Sequence, residues 1–194
     1  MRTPINLAVL ISGSGRTLQN FIDEIAAKRL DARIKVVVSS SADAGGNDKA
    51  RRAKIPLVVV DRKAPDFGDA ITKAVDKHKV DLVLLAGFLH LWKFPPQYKG
   101  RVLNIHPALL PAFGGKGMYG HRVHEAVLAS GAKESGCTVH IADLEYDRGP
   151  VILQRKVKVK PGDTPDDLAA RVFEEELIAY PEAVRILAKR LNPG

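Results

Sequence analysis

Residues 6–39, NLAVLISGSGRTLQNFIDEIAAKRLDARIKVVVS, decide the fold class. The segment begins with an apolar run at 6–11 and ends with another at 34–39, and both have the length and Val/Ile/Leu content of a buried strand. Between the two runs, apolar residues recur at helical spacing, at Leu18, Phe21, Ile22, Ile25 and Ala26. The segment therefore predicts a βαβ unit, in which two parallel strands are joined by a helix.

The same pattern continues along the chain. Strand-like runs follow at 56–61 (PLVVVD), 81–87 (DLVLLAG) and 101–106 (RVLNIH), and the first two flank a helical pattern at 70–79. Continuous Val/Leu runs indicate strands that are buried on both faces. We therefore expect an α/β fold, a doubly wound and mainly parallel sheet with helices on both faces.

The second half of the chain has a different pattern. CTVHIAD is followed by VILQRKVKVK, in which apolar residues alternate with Lys from 156 to 160, as in a strand with one face in water. We expect an antiparallel C-terminal extension of the sheet. Thr164 and Pro165 then supply an N-cap and a first helical residue for a long last helix. Because no linker or repeat divides the chain, residues 1–194 are predicted to form a single domain.

The composition is that of an ordinary globular protein, with 45% hydrophobic and 27% charged residues. Apolar runs such as 82–89 are too short to cross a bilayer, and the N-terminus lacks a signal-peptide pattern, so we expect a cytoplasmic protein without membrane contact. The formal charge of +8 suits general solubility or a small anionic substrate. Nucleic acid is not expected as a partner, because no aromatic residues are interleaved with the basic ones. The single cysteine, Cys137, excludes an internal disulfide.

The loop ISGSGRTLQ, residues 11–19, joins the first strand to the first helix. Backbone N–H groups at such a helix start can bind a phosphate. The loop lacks the GxxxxGK[ST] pattern, so ATP is not expected, and it lacks the third glycine of a dinucleotide fingerprint. The loop alone is compatible with a single-phosphate site or with a tight turn that binds nothing.

The stretch VLNIHPALLP, residues 102–111, puts Asn104 and His106 on one face of a strand end. Ligands of open α/β sheets bind at the carboxyl ends of strands, but for this segment alone a hydrogen-bonded strand end is the better explanation. Asp147, in a loop before Gly149, is either a turn residue or a partner that would raise the pKa of His106.

Other polar residues lie in unexpected surroundings. Glu176 follows the helical spacing of Leu168 and Val172, so its carboxylate lies on an apolar stripe and suits either a core ion pair or sugar hydroxyls. His121 and His124 are three apart on a helix. Without a third ligand nearby they indicate an exposed helix face rather than a metal site, and no metal is expected.

Taken in order, ISGSGRTLQ, LAGFLHL, LNIHPALLP, GCTVHIAD, YDRGPVILQ and EEELIAYP resemble the phosphoribosylglycinamide formyltransferase family, from residue 6 to about residue 182. The resemblance implies a Rossmann-like formyltransferase domain. It implies transfer of a formyl group from 10-formyltetrahydrofolate to the amine of glycinamide ribonucleotide, in purine biosynthesis. The protein would act as a monomer or a homodimer.

The resemblance also implies roles for particular residues. Catalysis would fall to Asn104, His106 and Asp147, with Asp147 keeping His106 charged. The residues implied to bind the ribonucleotide are Gly15, Arg16, Thr17 and Glu176; those implied to bind the folate are Leu89, His90, Leu91, Trp92 and Asn104.

Two related activities share these elements, methionyl-tRNA formyltransferase and formyltetrahydrofolate hydrolase. The chain differs from many family members at FGGKGMYGHRVH, where they have PGxHxH, and at His90 and Trp92, which are larger than some family choices.

Overall fold

The computed structural model describes residues 4–191. These residues form two compact units, one ending at Leu103 and the other beginning at Asn104.

The first unit contains a parallel arrangement of four strands. The strand order is β3-β2-β1-β4, and each neighbouring pair is parallel. Their bounds are β1 (Ile5–Ile11), β2 (Ala32–Ser39), β3 (Leu57–Val59) and β4 (Leu82–Leu85). The five residues from Leu7 to Ile11 are fully buried, as the continuous apolar run predicts for a strand covered on both faces.

Three helices connect these strands: α1 (Arg16–Ala26), α2 (Gly46–Arg52) and α3 (Phe67–Lys77). Of the predicted apolar stripe of α1, Leu18 and Phe21 are buried, Ile22 and Ile25 are half-buried, and Ala26 is exposed. The short helix α2 was not predicted, because its sequence GNDKARR contains only one apolar side chain, Ala50, and so carries no periodic pattern.

The second unit contains β5 (Val102–His106), whose first two residues still belong to the first unit, and the elements that follow it. These are α4 (His121–Ala129), β6 (Glu134–Ile141), β7 (Val151–Lys158) and α5 (Pro165–Leu191). The strand order is β5-β6-β7, and β6 pairs with β7 in antiparallel fashion. The predicted antiparallel extension is confirmed, with Val157 buried between the exposed Lys156 and Lys158.

The start of α5 confirms the predicted N-cap. The Asp167 N–H donates to Thr164 Oγ1 at 3.2 Å, and the Thr164 N–H donates to Asp167 Oδ2 at 2.9 Å. Two backbone donors are thereby satisfied reciprocally. Among residues 4–191, no helix combines the length and the apolar character that crossing a membrane requires.

Gly136 shows how closely β6 and β7 approach each other. Its φ is +155°, and a Cβ built there would lie 2.0 Å from the Arg155 carbonyl oxygen. A side chain therefore cannot be added without moving the partner strand.

We expect Gly136→Ala to lower the free energy of unfolding by about 1–3 kcal/mol, the usual cost of overpacking. Gly68→Ala is the matched control, because Gly68 lies in α3 and its added Cβ would meet only Trp92 at 4.0 Å. This control should raise stability by about 0.4–1 kcal/mol. Urea denaturation of both variants measures the difference, and equal stabilities would contradict the close approach.

Candidate active site

The carboxyl end of β5 brings Asn104 and His106 to one face, as the sequence predicts. His106 is buried and Asn104 is half-buried. Pro107 follows directly and ends the strand. The strand thus presents an amide and an imidazole side by side at a sheet edge.

Asp147 lies beside both residues, although it is 41 positions beyond His106. Its Oδ2 is 3.5 Å from His106 Nδ1, and its Oδ1 is 3.3 Å from Asn104 Nδ2. The backbone of Asp147 has a φ of +58°, and its side chain is 8% exposed. The predicted contact between Asp147 and His106 is confirmed.

His140 in β6 completes the cluster. Its Nδ1 is 3.1 Å from the Ile141 carbonyl oxygen, which can only accept a hydrogen bond, so Nδ1 carries the proton. In the neutral ring, Nε2 then accepts from Asn104 Nδ2 at 3.1 Å. Asn104 therefore directs one amide hydrogen towards His140 and the other towards Asp147.

A turn at residues 113–115 holds the other two members of the cluster. The Phe113 carbonyl accepts from His106 Nε2 at 2.8 Å, and the Gly115 N–H donates to Asp147 Oδ2 at 2.9 Å. A Cβ on Gly114 would lie 2.5 Å from Leu110 Cδ2 and 3.3 Å from Asp147 Cβ. The glycine-rich segment that distinguishes this chain thus builds part of the site.

These contacts through the turn could not be predicted from sequence. Nothing in a glycine-rich sequence shows which side chains the backbone groups of a turn contact.

Thr138 and Gln154 fix the loop that follows His106. The Thr138 hydroxyl donates to the Ala108 carbonyl at 2.6 Å and accepts from the Leu110 N–H at 3.0 Å. Gln154 Nε2 lies 2.9 Å from both Thr138 Oγ1 and the Leu110 carbonyl. Sequence reasoning missed both residues, because polar side chains on β6 and β7 carry no signal for a loop far away in the chain.

Burial decides the charge of His106. It lowers the pKa of His106 more than the Asp147 carboxylate and the Phe113 carbonyl raise it. The prediction that Asp147 keeps His106 charged is therefore wrong, because removing the ring from water disfavours the imidazolium.

For Asp147, the neighbouring groups affect the pKa more than burial does. Burial raises the pKa of Asp147, but contacts with His140, His106 and the Gly115 N–H outweigh burial and hold it below its ordinary value. The site at neutral pH therefore contains a neutral His106 and an ionised Asp147.

The predicted exposure of His124 is wrong. His124 was expected on an exposed helix face, but it is 4% exposed, and burial lowers its pKa to about 4. His121, in contrast, is exposed and pairs with Asp166 at 2.6 Å. Within residues 4–191, no three His, Cys, Asp or Glu side chains are grouped so that they could hold a metal ion.

In the first unit, the glycine loop leads into α1 in the predicted way. Gly15 is the N-cap residue with a φ of +69°, and no side chain caps the helix. A Cβ on Gly15 would lie 2.6 Å from the Cα of Gly46, so only glycine fits. Arg16 is exposed and Thr17 is half-buried. A helix start without a side-chain cap is a type of site that can bind an anion.

Residues 89–92, in the segment after β4, differ in their exposure to solvent. Leu89 is 51% exposed, and His90 and Leu91 are half-buried. Trp92 is 3% exposed, and its Nε1 donates to the Gly68 carbonyl and to Thr72 Oγ1, both at 3.3 Å. The indole of Trp92 therefore packs inside the unit, and only its backbone could contact a ligand.

Glu176 is half-buried on the apolar stripe of α5. The pKa of Cys137 is raised to about 12, chiefly by burial and then by the charge of Glu176, which places that carboxylate near β6. Arg171 binds Asp163 with two hydrogen bonds, at 2.8 and 2.9 Å. Arg171, a candidate partner for a core ion pair with Glu176, is thus paired with another acid.

The chain matches known proteins over almost its whole length. The "Formyl transferase" family profile covers residues 5–184. A phosphoribosylglycinamide formyltransferase of Escherichia coli (strain K12) is 39% identical over 183 residues, covering 91% of this chain and 84% of the relative. A chloroplastic protein of the same name from Arabidopsis thaliana is 42% identical over 185 residues and 92% of this chain.

The chain is shorter than some of these relatives. It spans 63% of the Arabidopsis thaliana protein and 18% of the human trifunctional purine biosynthetic protein adenosine-3, which is 39% identical over 188 residues.

Solved structures agree with the sequence matches. Glycinamide ribonucleotide transformylase 1 from Symbiobacterium toebii has a TM-score of 0.88 and 40% identity, covering 97% of this chain and 90% of that one. The predicted α/β fold class is thereby confirmed. The fold, together with the profile match and the identity to relatives, shows that this chain belongs to the formyl transferase family.

Proposed function

We propose that the protein is a phosphoribosylglycinamide formyltransferase. It transfers a formyl group from 10-formyltetrahydrofolate to the amine of 5'-phosphoribosylglycinamide, and it releases formylglycinamide ribonucleotide and tetrahydrofolate in purine (IMP) biosynthesis. The observation that carries the proposal is the cluster of Asn104, His106 and Asp147 at the end of β5, in a chain 39% identical to an enzyme of that name.

The reaction needs a group that moves a proton and a group that stabilises an oxyanion. The substrate amine adds to the formyl carbon, the formyl oxygen becomes negative, and the bond to folate N10 then breaks as N10 takes a proton. Because the lowered pKa leaves His106 neutral, His106 can accept the proton from the attacking nitrogen and pass it to N10. The substrate would replace the Phe113 carbonyl beside His106 Nε2, and the neutral ring would then take its other tautomer, with the proton on Nδ1 facing Asp147 and Nε2 able to accept.

Asn104 supplies the donor for the oxyanion. Its amide hydrogens point at His140 Nε2, 3.1 Å away, and at Asp147 Oδ1, 3.3 Å away. The formyl oxygen would replace one of these two acceptors. Asp147 then faces the imidazolium that forms on His106 and stabilises its transient charge.

The remaining residues bind the two substrates. The N–H groups at the start of α1, with Gly15, Arg16 and Thr17, hold the ribonucleotide phosphate, and Glu176 accepts from the ribose hydroxyls. Leu89, His90, Leu91 and the backbone of Trp92 bind the folate, with Asn104 at its formyl end. The co-substrate is 10-formyltetrahydrofolate, and the reaction as proposed uses no metal and no ATP.

We propose that the two compact units work together as a single formyltransferase domain, since the family profile spans both of them. The protein acts as a monomer or a homodimer on a small-molecule substrate, without nucleic acid. Its cytoplasmic location remains a prediction.

One assay separates this activity from its relatives. The purified protein is incubated with 10-formyltetrahydrofolate and, in parallel, with glycinamide ribonucleotide, with methionyl initiator tRNA, or with neither, while release of tetrahydrofolate is followed. Release only with the ribonucleotide supports the proposal. Release only with the tRNA would instead indicate methionyl-tRNA formyltransferase, and release in water alone would indicate formyltetrahydrofolate hydrolase.

Alanine at either strand-end residue should abolish most turnover while the protein stays folded. Loss of one oxyanion donor costs about 10²- to 10³-fold in kcat, and loss of a general acid–base costs about 10²- to 10⁴-fold, so Asn104→Ala and His106→Ala should fall in these ranges. Single-turnover kinetics on variants with native circular dichroism provide the measurement. Near-wild-type rates in both variants would reject the mechanism.

Asp147→Asn keeps the shape of the side chain but removes its charge. Because that charge raises the pKa of His106 against burial, the substitution should lower the pKa further. Activity that needs neutral His106 is lost as the pH falls through this pKa, so the acid limb of the kcat/KM profile should move to lower pH. The plateau kcat should drop by about 10²- to 10⁴-fold, because the imidazolium loses its partner.

NMR titration of His106 in both proteins tests the same point directly. In the native protein, the neutral ring is favoured more than in the unfolded chain. His106 therefore reduces stability as the pH falls below about 6.5 towards the folded-state value. An unchanged His106 pKa in Asp147→Asn would show that the two residues do not work as a pair.

Glu176→Gln should raise the KM for glycinamide ribonucleotide by about 10- to 10²-fold, the effect of losing hydrogen bonds to a charged acceptor. Folate binding should be nearly unchanged. Glu174→Gln is the matched control, because Glu174 is exposed on the same helix. If Glu176→Gln lowers only the melting temperature, the carboxylate belongs to a core ion pair instead.

A further inference from the structure

Ser12 links two loops of the first unit. It is the first residue after β1, and its N–H donates to the Gly87 carbonyl at 3.2 Å. Its hydroxyl oxygen accepts from the Leu89 N–H at 3.1 Å. One residue at the start of the glycine loop thus holds the segment after β4 by a main-chain bond and by a side-chain bond.

Ser40 fixes the position of the Ser12 hydroxyl. The two hydroxyl oxygens are 2.7 Å apart, and Ser40 is 3% exposed. The Ser40 N–H donates to the Ile11 carbonyl at 3.0 Å, so Ser40 is itself tied to the end of β1. The Ser12 hydroxyl is therefore held in place by two partners, the Ser40 hydroxyl and the Leu89 N–H.

The Leu89 side chain does not anchor its own loop, because it is 51% exposed. Gly87, two residues before Leu89, has a φ of +70°, and nothing lies within 4 Å of the place where its Cβ would be. Phe88 is 9% exposed and stacks on Phe67 at 6.2 Å, so the Leu89 backbone is held between this ring contact and the hydrogen bond to Ser12.

We propose that Ser12 is a positioning residue that couples the binding of the two substrates. The inference rests on the proposed function, in which the glycine loop binds the ribonucleotide phosphate and residues 89–92 bind the folate. Ligand binding at either loop favours the state in which the Leu89–Ser12 bond is formed, and that state favours the second ligand. Such coupling is reciprocal, so each substrate raises the affinity for the other by the same factor.

The coupling factor is measured by isothermal titration calorimetry with tetrahydrofolate and glycinamide ribonucleotide, which do not react with each other. It is the ratio of the Kd of tetrahydrofolate without the ribonucleotide to the Kd at saturating ribonucleotide. We expect a factor above one in the wild-type protein. In Ser12→Ala the factor should fall towards one by about 2- to 10-fold, the worth of one neutral hydrogen bond.

Two further measurements separate coupling from general damage. Ser12→Thr keeps the hydroxyl and should restore the coupling factor. Amide hydrogen exchange should become faster at Leu89 in Ser12→Ala, whereas exchange of the Ser40 N–H, which is bonded to Ile11, should not change.

The outcomes distinguish the two proposals. If the wild-type protein binds neither ligand and transfers no formyl group, the proposed function fails. If it transfers the formyl group but shows no coupling, or if Ser12→Ala keeps the wild-type factor, the role of Ser12 is rejected and the proposed function stands.

Discussion

The buried carboxylate of Asp147 is the group on which the site depends. A charge taken out of water is costly unless it is paired and hydrogen-bonded. Here the Gly115 N–H, the Asn104 amide and the imidazoles of His106 and His140 surround it. These groups come from three stretches of the second unit, β5, the turn at 113–115 and β6, and the Gly115 N–H and the Asn104 amide donate to the carboxylate. The same contacts that stabilise the carboxylate therefore arrange the residues proposed to act on the formyl group.

Much of the fold could be predicted because apolar periodicity reports directly on burial. The run in β1 and the Lys alternation in β7 each match the exposure found in the structure. The short helix α2 was not predicted from the sequence, because its position is set by contact with the glycine loop. In this contact the Gly46 N–H donates to the Gly13 carbonyl. A contact between two loops leaves no period in either sequence.

The site was predictable where its members are side chains at strand ends, as for Asn104 and His106. It was not predictable where backbone groups act, as in the Phe113 carbonyl and the Gly115 N–H, because any residue carries these groups. The charge of His106 was predicted wrongly for a related reason. A neighbouring carboxylate can be guessed from a motif, but the loss of water around the ring depends on the whole packed unit.

The use of backbone groups explains why glycine is concentrated at this site. A Cβ on Gly114 would press on Leu110, and a Cβ on Gly149 would lie 1.7 Å from the Ile141 carbonyl oxygen. Both glycines let a loop approach closely enough to enclose Asp147 without a bulky side chain beside the imidazole. The segment FGGKGMYG therefore contributes to the site through its backbone and not through a catalytic side chain. The Phe113 carbonyl fixes the direction of the His106 Nε2 proton, and the Gly115 N–H holds the Asp147 carboxylate.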